Sequence, residues 1–404
     1  MSTSSRPLNI LALACFNTGD RFIQRARERG ARVWLLTQET YLKKKRWRRD
    51  LLEDVFALPD HAPIADTVNA VSYLARNVKF DRIVPFDDVE VDPAARLREH
   101  LRVPGMGDTT ARVFRDKLAM RVRAEEEGIA VPDFVGLIHH DDIRDYTERV
   151  PPPWMLKPRT EASATGIRKI GSVEELWRAI HELGDRASYF LLERFLPGDV
   201  HHVDAIVTEG KVVFAEVHKN GVPPFEVAHG GGVFSTYTLP RDTAEWRELE
   251  ALNEKMLTRM HFVRGVTHAE YIRGRDDGKV YFLEVGARVG GAHVADVVEA
   301  ATGVNLWQEW ADIEIDKGEV PYVLPPRRAE YAGLVQSLAR SEHPDLSSFV
   351  DPEVCYRTDD PYHAGLIVRS TSQARVCELL DDYARRLTKD YLAVMPHYEL
   401  PPLR

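Results

Sequence analysis

Thr267-His268-Ala269-Glu270-Tyr271-Ile272 runs into Arg273-Gly274-Arg275-Asp276-Asp277-Gly278, and Val280-Tyr281-Phe282-Leu283-Glu284-Val285-Gly286-Ala287-Arg288-Val289-Gly290-Gly291 follows. A polar, glycine-containing segment between two apolar and aromatic runs reads as a β-hairpin. In the simplest register the hairpin centres on Asp277, and Glu270 then faces Glu284 on the neighbouring strand. Like charges directly opposite destabilise a sheet. A divalent cation between the two carboxylates turns that penalty into a binding site. Hard oxygen ligands, completed by substrate phosphates, suit magnesium. Arg288 comes at the end of the second strand, where a fork-shaped cation can hold a phosphate. The competing readings are a solvated hairpin with both glutamates in water, and a bulge that breaks the register.

Glu284-Val285-Gly286-Ala287-Arg288-Val289-Gly290-Gly291 resembles the metal-site signature of the ATP-grasp superfamily, Glu-x-Asn-x-Arg followed by glycines. Those proteins are ligases that use ATP to join a carboxylate to an amine. Gly286 stands where the family has an asparagine that commonly helps to ligate a second magnesium, and a water can take that place. Four further segments fall in family order. Asp116-Lys117 opens a run that ends in Gly128 and Pro132, and the resemblance implies that Lys117 reaches an ATP phosphate. Trp154-Met155-Leu156-Lys157-Pro158 reads as a strand ending in a lysine and entering the loop Arg159–Gly166. Backbone N–H groups of such a loop can cradle phosphate oxygens. Lys157 adds a point charge there, and Ser163 is the loop hydroxyl nominated for the nucleotide. In Phe190–Asp199 the apolar run breaks at Pro197-Gly198. The resemblance makes this the adenine hinge, with Glu193, Phe195 and Leu196 on the base and Asp199 on the ribose. The fourth segment, His201–Val207, is a strand on which His202 and Asp204 share one face. His201 and His202 are neighbours on that strand and point to opposite faces, so they cannot readily chelate one ion. Between hinge and hairpin, Glu226 and His229 precede Gly230-Gly231-Gly232 and are nominated for the substrate together with Arg288 and Gly291.

The 404 residues suffice for two or three domains, and 44% hydrophobic with 29% charged residues describes a soluble globular chain. A net charge of −9 argues against general nucleic-acid binding, despite the basic run Lys43–Arg49, which reads best as a solvated face. Three widely spaced cysteines give neither a disulfide framework nor a cysteine metal site and fit a reducing, cytoplasmic setting. No apolar run approaches the roughly 20 residues a membrane span needs.

The order strand Ile10–Cys15, helix Asp20–Arg29, strand Ala31–Leu36, helix Thr67–Asn77, strand Arg82–Phe86 predicts a parallel sheet with covering helices. No G-x-G-x-x-G follows the first strand, which disfavours a dinucleotide. Asp87, Asp88 and Glu90 lie at a strand's C-terminal end, where open α/β sheets place ligands, and can meet a cationic substrate group or simply form a polar loop. The expected organisation mixes α/β and α+β. Residues 1–110 form a Rossmann-like parallel-sheet domain. Residues 111–324 form a two-lobed ATP-grasp domain, with a lid lobe at about 133–197. Residues 325–404 form a small α+β C-terminal block.

The resemblance implies ATP and Mg²⁺ as cofactors and small-molecule carboxylate and amine substrates. Lys117 and Lys157 would hold phosphates, Glu270 and Glu284 the metal, and Arg288 the transferred phosphoryl group. Within the superfamily the chain looks most like the L-amino-acid ligases that make dipeptides. The alternatives are a biotin-carboxylase-like or nucleotide-biosynthesis ligase, and a regulatory protein that binds ATP without turnover. A homodimer is compatible with all of these.

Overall fold

The computed structural model describes residues 6–394 except 17, 45, 46, 163 and 317, together with the backbone but not the side chains of 44, 228 and 229. Three sheets organise the chain. The first comprises β1 (Asn9–Leu13), β2 (Arg32–Gln38), β3 (Asp54–Leu58) and β4 (Arg82–Pro85), all parallel, in the order β3-β2-β1-β4. The expected βαβ order is present. β3 is an addition, a short strand whose only apolar run is Val55–Leu58 before Pro59. Between β1 and β2 the helix Asp20–Glu28 buries Phe22, Ile23 and Ala26 and stops at Gly30, whose φ of +80° suits glycine.

The second sheet comprises β5 (Phe134–Gly136), β6 (Trp154–Pro158), β7 (Arg168–Ile170) and β8 (Phe190–Arg194), antiparallel, in the order β5-β8-β6-β7. It covers its own apolar cluster with the helices His140–Arg149 and Val173–Leu183.

The third sheet has eight strands: β9 (Gly198–Thr208), β10 (Lys211–Asn220), β11 (Phe234–Thr238), β12 (Gly265–Gly274), β13 (Val280–Gly286), β14 (Tyr331–Leu338), β15 (Val354–Arg357) and β16 (His363–Ser370). Their order is β13-β12-β9-β10-β11-β14-β16-β15, so strands on both sides of residue 325 share one sheet. Alternation splits β9 cleanly. Val203, Ala205 and Val207 enter a core with the helices Lys117–Glu126 and Ala244–Arg259, while Ile206 enters a core shared with β1, β2 and the helix Leu306–Asp316. The second face therefore looks toward the N-terminal sheet, and His202, Asp204, Glu216, His218, His268 and Glu270 of β9, β10 and β12 lie on it. The C-terminal helix Gln373–Asp390 lays Val376, Leu379, Leu380, Tyr383 and Leu387 on β14 and β16, as its period of 3.6 predicts.

Of the basic run, Trp47 is buried in the shared core, Lys43 pairs with Glu39, and Arg48 pairs with Asp50; Lys45 and Arg46 fall outside the described residues. Among the described residues no helix is long and apolar enough to cross a membrane.

Candidate active site

The β12–β13 hairpin places Glu270 directly opposite Glu284, and Asp277 holds the turn by accepting from Lys279 N (3.0 Å) and Tyr281 OH (2.7 Å). A bulge does occur, but on the turn side of this pair: Tyr271 faces Phe282, so the two glutamates keep their register. Lys117, first residue of its helix, lies 2.7 Å from Glu284 Oε2 and donates to Glu161 O at 2.6 Å. Asp116 caps that helix by accepting from Leu118 N and Ala119 N, and it also binds Arg159, which ties the phosphate-type loop to the helix start.

Lys157 ends β6 and pairs with Glu193 on β8, while Arg121 grips the other oxygen of Glu193 at 2.8 and 3.0 Å. Both Glu193 and Arg121 are about 1% exposed. Burial alone would raise the Glu193 carboxyl, but Arg121 and Lys157 hold it below its ordinary value. Both oxygens of Glu193, the residue expected on the adenine edge, are thus paired with cations, and Glu193 lines the larger cavity. Arg121 was missed, although it lies four residues beyond Lys117 on one helix face. Phe195 and Leu196 do line the larger cavity beside Lys157, with Lys169 Nζ 3.7 Å over the Phe195 ring. Asp199, expected on the ribose, lies outside the lining of that cavity. Gly198 and Val200 line that cavity, whereas Asp199 alternates to the other face, is half exposed and binds Lys219 at 2.6 Å.

Arg288 is clamped by Asp88 through Nε at 2.8 Å and through Nη2, and it holds Asp88 below the usual carboxylate range against the raising effect of burial. Asp88 therefore meets a protein cation in place of the substrate cation expected for it. A Cβ on Gly286 would lie 2.8 Å from Asp88 Oδ1, so the Asp88 carboxylate fills the space that a side chain at 286 would need. Asp87 serves structure as well, accepting from Cys15 N, Phe16 N and Thr18 Oγ1 and fixing the turn after β1.

Glu226 lines the larger cavity and Gly291 the smaller one. Ser163 lies outside the described residues, and the side chain of His229 does too, its backbone belonging to the helix Pro224–Gly230.

One feature beyond the nominated set is a grid of ionisable groups on the inner face of the large sheet. His202 opposes His218 and Glu270; Asp204 opposes Glu216 and His268. Asp204, fully buried, accepts from Nδ1 of His202 (2.7 Å) and of His268 (2.8 Å). Burial opposes the charge, but these imidazoles keep Asp204 ionised far below its usual range and Asp204 raises His268 to about 10. Burial keeps His218 neutral. Donor atoms of His202, Asp204 and His218 lie within 4.8 Å of one another. The two rings are nevertheless stacked 9° from parallel with centroids 4.7 Å apart, so an ion in one ring plane is out of the other. This arrangement is a hydrogen-bonded cluster and not a chelate. The alternation of His268 with Glu270 was the sequence signal for it.

An antiparallel four-stranded sheet and the large sheet thus meet at one cleft, with Lys157 from the smaller sheet, Lys117 from a helix start and the hairpin carboxylates of the larger sheet around it. Residues 150–296 match the family model of the ATP-grasp domain, so the chain carries that domain. It is similar to the L-arginine-specific L-amino acid ligase of Bacillus subtilis, 23% identical over 63% of this chain and 64% of that protein. It is also similar to the D-alanine–D-alanine ligase of Aquifex aeolicus, 27% identical over 47% of this chain and 64% of that protein. The chain thus spans just under two thirds of the length of these relatives. In fold it superposes on the crystal structure of an L-amino acid ligase from Bacillus licheniformis with a TM-score of 0.74 at 18% identity, covering 97% of this chain and all of the other.

Proposed function

We propose that the protein is an ATP-dependent carboxylate–amine ligase that forms an amide or peptide bond through an acyl phosphate, releases ADP and phosphate, and takes an amino acid as substrate. The observation that carries this reading is a junction. Lys117, Glu270 and Glu284 line both a largely apolar cavity of about 410 Å³ and a smaller, more polar one of about 180 Å³. The larger has the size and walls of a nucleotide site, with Met155, Phe195, Leu196, Val200, Ile272 and Leu283 for a base. The smaller, with Asp88, Arg115, His202, His268 and Arg288, suits a polar substrate.

The donor set fits magnesium. Two opposed carboxylates offer hard oxygen ligands, and Lys117 already compensates one of them, as an unpaired carboxylate pair requires. Glu270 and Glu284 would hold the ion, which when bound supplies charge neutralisation on the phosphates. Phosphoryl transfer asks little covalent chemistry of a protein and much positioning. Lys117 and Lys157 hold phosphate oxygens. Arg288, its fork fixed by Asp88, faces the group being transferred. A carboxylate oxygen attacks the γ-phosphorus and the bond to the β-phosphate oxygen breaks. An amine nitrogen then attacks the acyl carbon, loses a proton, and phosphate leaves. The similarity to ligases of free amino acids supports the substrate class.

The test is a screen of ADP and phosphate release over amino-acid pairs, with hydroxylamine as a trap. Capture of a hydroxamate with ATP and the correct carboxylate is expected. Release of AMP and pyrophosphate would overturn the reading, because the carboxylate would then be adenylated.

A further inference from the structure

We infer that the Asp204–His268 pair is the positioning element of this site, fixing the Glu270 carboxylate and the Arg288-bearing turn relative to each other. The inference rests on the ligase reading and extends it to residues with no assigned role. His268 and Glu270 sit two apart on β12, so both look into the smaller cavity. His268 Nδ1 is 2.8 Å from Asp204 Oδ1, which leaves its Nε2 facing Glu270 Oε1 at 3.6 Å. Asp204 cannot swing to another partner. It is fully buried at the centre of the sheet, and its second oxygen is held by His202, itself anchored on Thr236 Oγ1 at 2.8 Å.

The same pair sets the path of the turn after β13. A Cβ on Gly290 would lie 2.8 Å from His268 Nδ1, 2.9 Å from Val294 Cγ1 and 3.0 Å from Asp204 Oδ1. The backbone two residues after Arg288 therefore rides directly over the pair, and a methyl there must push the pair or Val294 aside. One imidazole–carboxylate unit thus stands within ion-pair distance of the carboxylate on β12 and directly beneath the turn that carries the cation. Groups behind a metal ligand that fix its orientation commonly change affinity about 10–100-fold when removed.

The experiment uses the full chain with Mn²⁺ as the probe and ADP present, free Mn²⁺ being read by electron paramagnetic resonance. His268→Asn is expected to weaken Mn²⁺ binding of the folded protein about 10-fold or more, with metal-free ADP affinity little changed. Gly290→Ala keeps every charge, crowds the pair with one methyl, and is expected to weaken Mn²⁺ binding in the same direction. Should His268→Asn fail to fold, Gly290→Ala decides. A folded variant with wild-type Mn²⁺ affinity overturns the inference, and if Glu270→Gln loses Mn²⁺ in the same series, the ligase reading survives that result. Wild-type protein that binds no Mn²⁺ with ADP overturns both.

Discussion

Glu193 sits between Arg121 and Lys157 with almost no exposure, so its charge depends on those two cations. Breaking a buried pair costs far more than forming it contributes. Arg121→Leu is expected to destabilise the fold by about 3 kcal/mol, read as a fall in the urea midpoint with unchanged slope. Glu284 presents a different balance. Glu284→Gln relieves repulsion with Glu270 but strands the buried Lys117 at 2.7 Å, so the two effects oppose each other and stability should move less than in Arg121→Leu. Turnover should fall more than about 100-fold if Glu284 holds the metal as proposed, since a ligand is then lost and not merely a group behind one; near-normal ADP release would remove the metal assignment. At this scale the sequence was readable where spacing dictates contact. The Glu270–Glu284 pairing follows from counting outward from Asp277. The partners of Glu193 and Asp199, Arg121 and Lys219, were not legible, because they come from other elements that no local pattern connects to them.

Elements with strong periodicity were legible: the amphipathic C-terminal helix, the first βα units and the hairpin all stand where the pattern puts them. The strand β3 was not, since Asp54–Leu58 is short and only half-buried at a sheet edge, and a weak pattern results. Equally invisible was the turn after Arg288. Ala292 and His293 both adopt left-handed backbone, with φ of 48° and 60°, ahead of the helix Val294–Thr302. His293 anchors this turn by bridging Asp296 (2.8 Å) and Asp360 (2.7 Å). Burial would lower the imidazole, but the two aspartates raise it from 6.5 to about 9. A raised folded-state value means stabilisation that is full below pH 6.5 and lost as pH rises through about 9. Urea midpoints between those values should therefore decline in the wild type and decline less in His293→Gln; parallel profiles would show that the bridge contributes nothing.

At the scale of the molecule, the site is assembled across units that the sequence presents as separate. Asp88 reaches Arg288 from the turn after β4, and the N-terminal helices share a core with β9, β10 and β12. The eight-stranded sheet binds the C-terminal block in the same way, because β14 pairs along β11 from Phe234 to Tyr237. That pairing could not be read from the chain, since β11 and β14 are separated by nearly a hundred residues and neither names its partner. It has a consequence for how the chain tolerates shortening. A protein cut near residue 325 would keep its cleft residues but lose β14, β15 and β16, and β11 would become a bare sheet margin flanked by Phe234 and Tyr237. Open margins of that kind template self-association. Such a fragment is expected to elute as large aggregates in size-exclusion chromatography, while a cleanly monomeric fragment would show that the margin is self-protected. The last eighty residues, which line neither cavity, thus act as the guard that keeps copies of this chain from zipping onto one another.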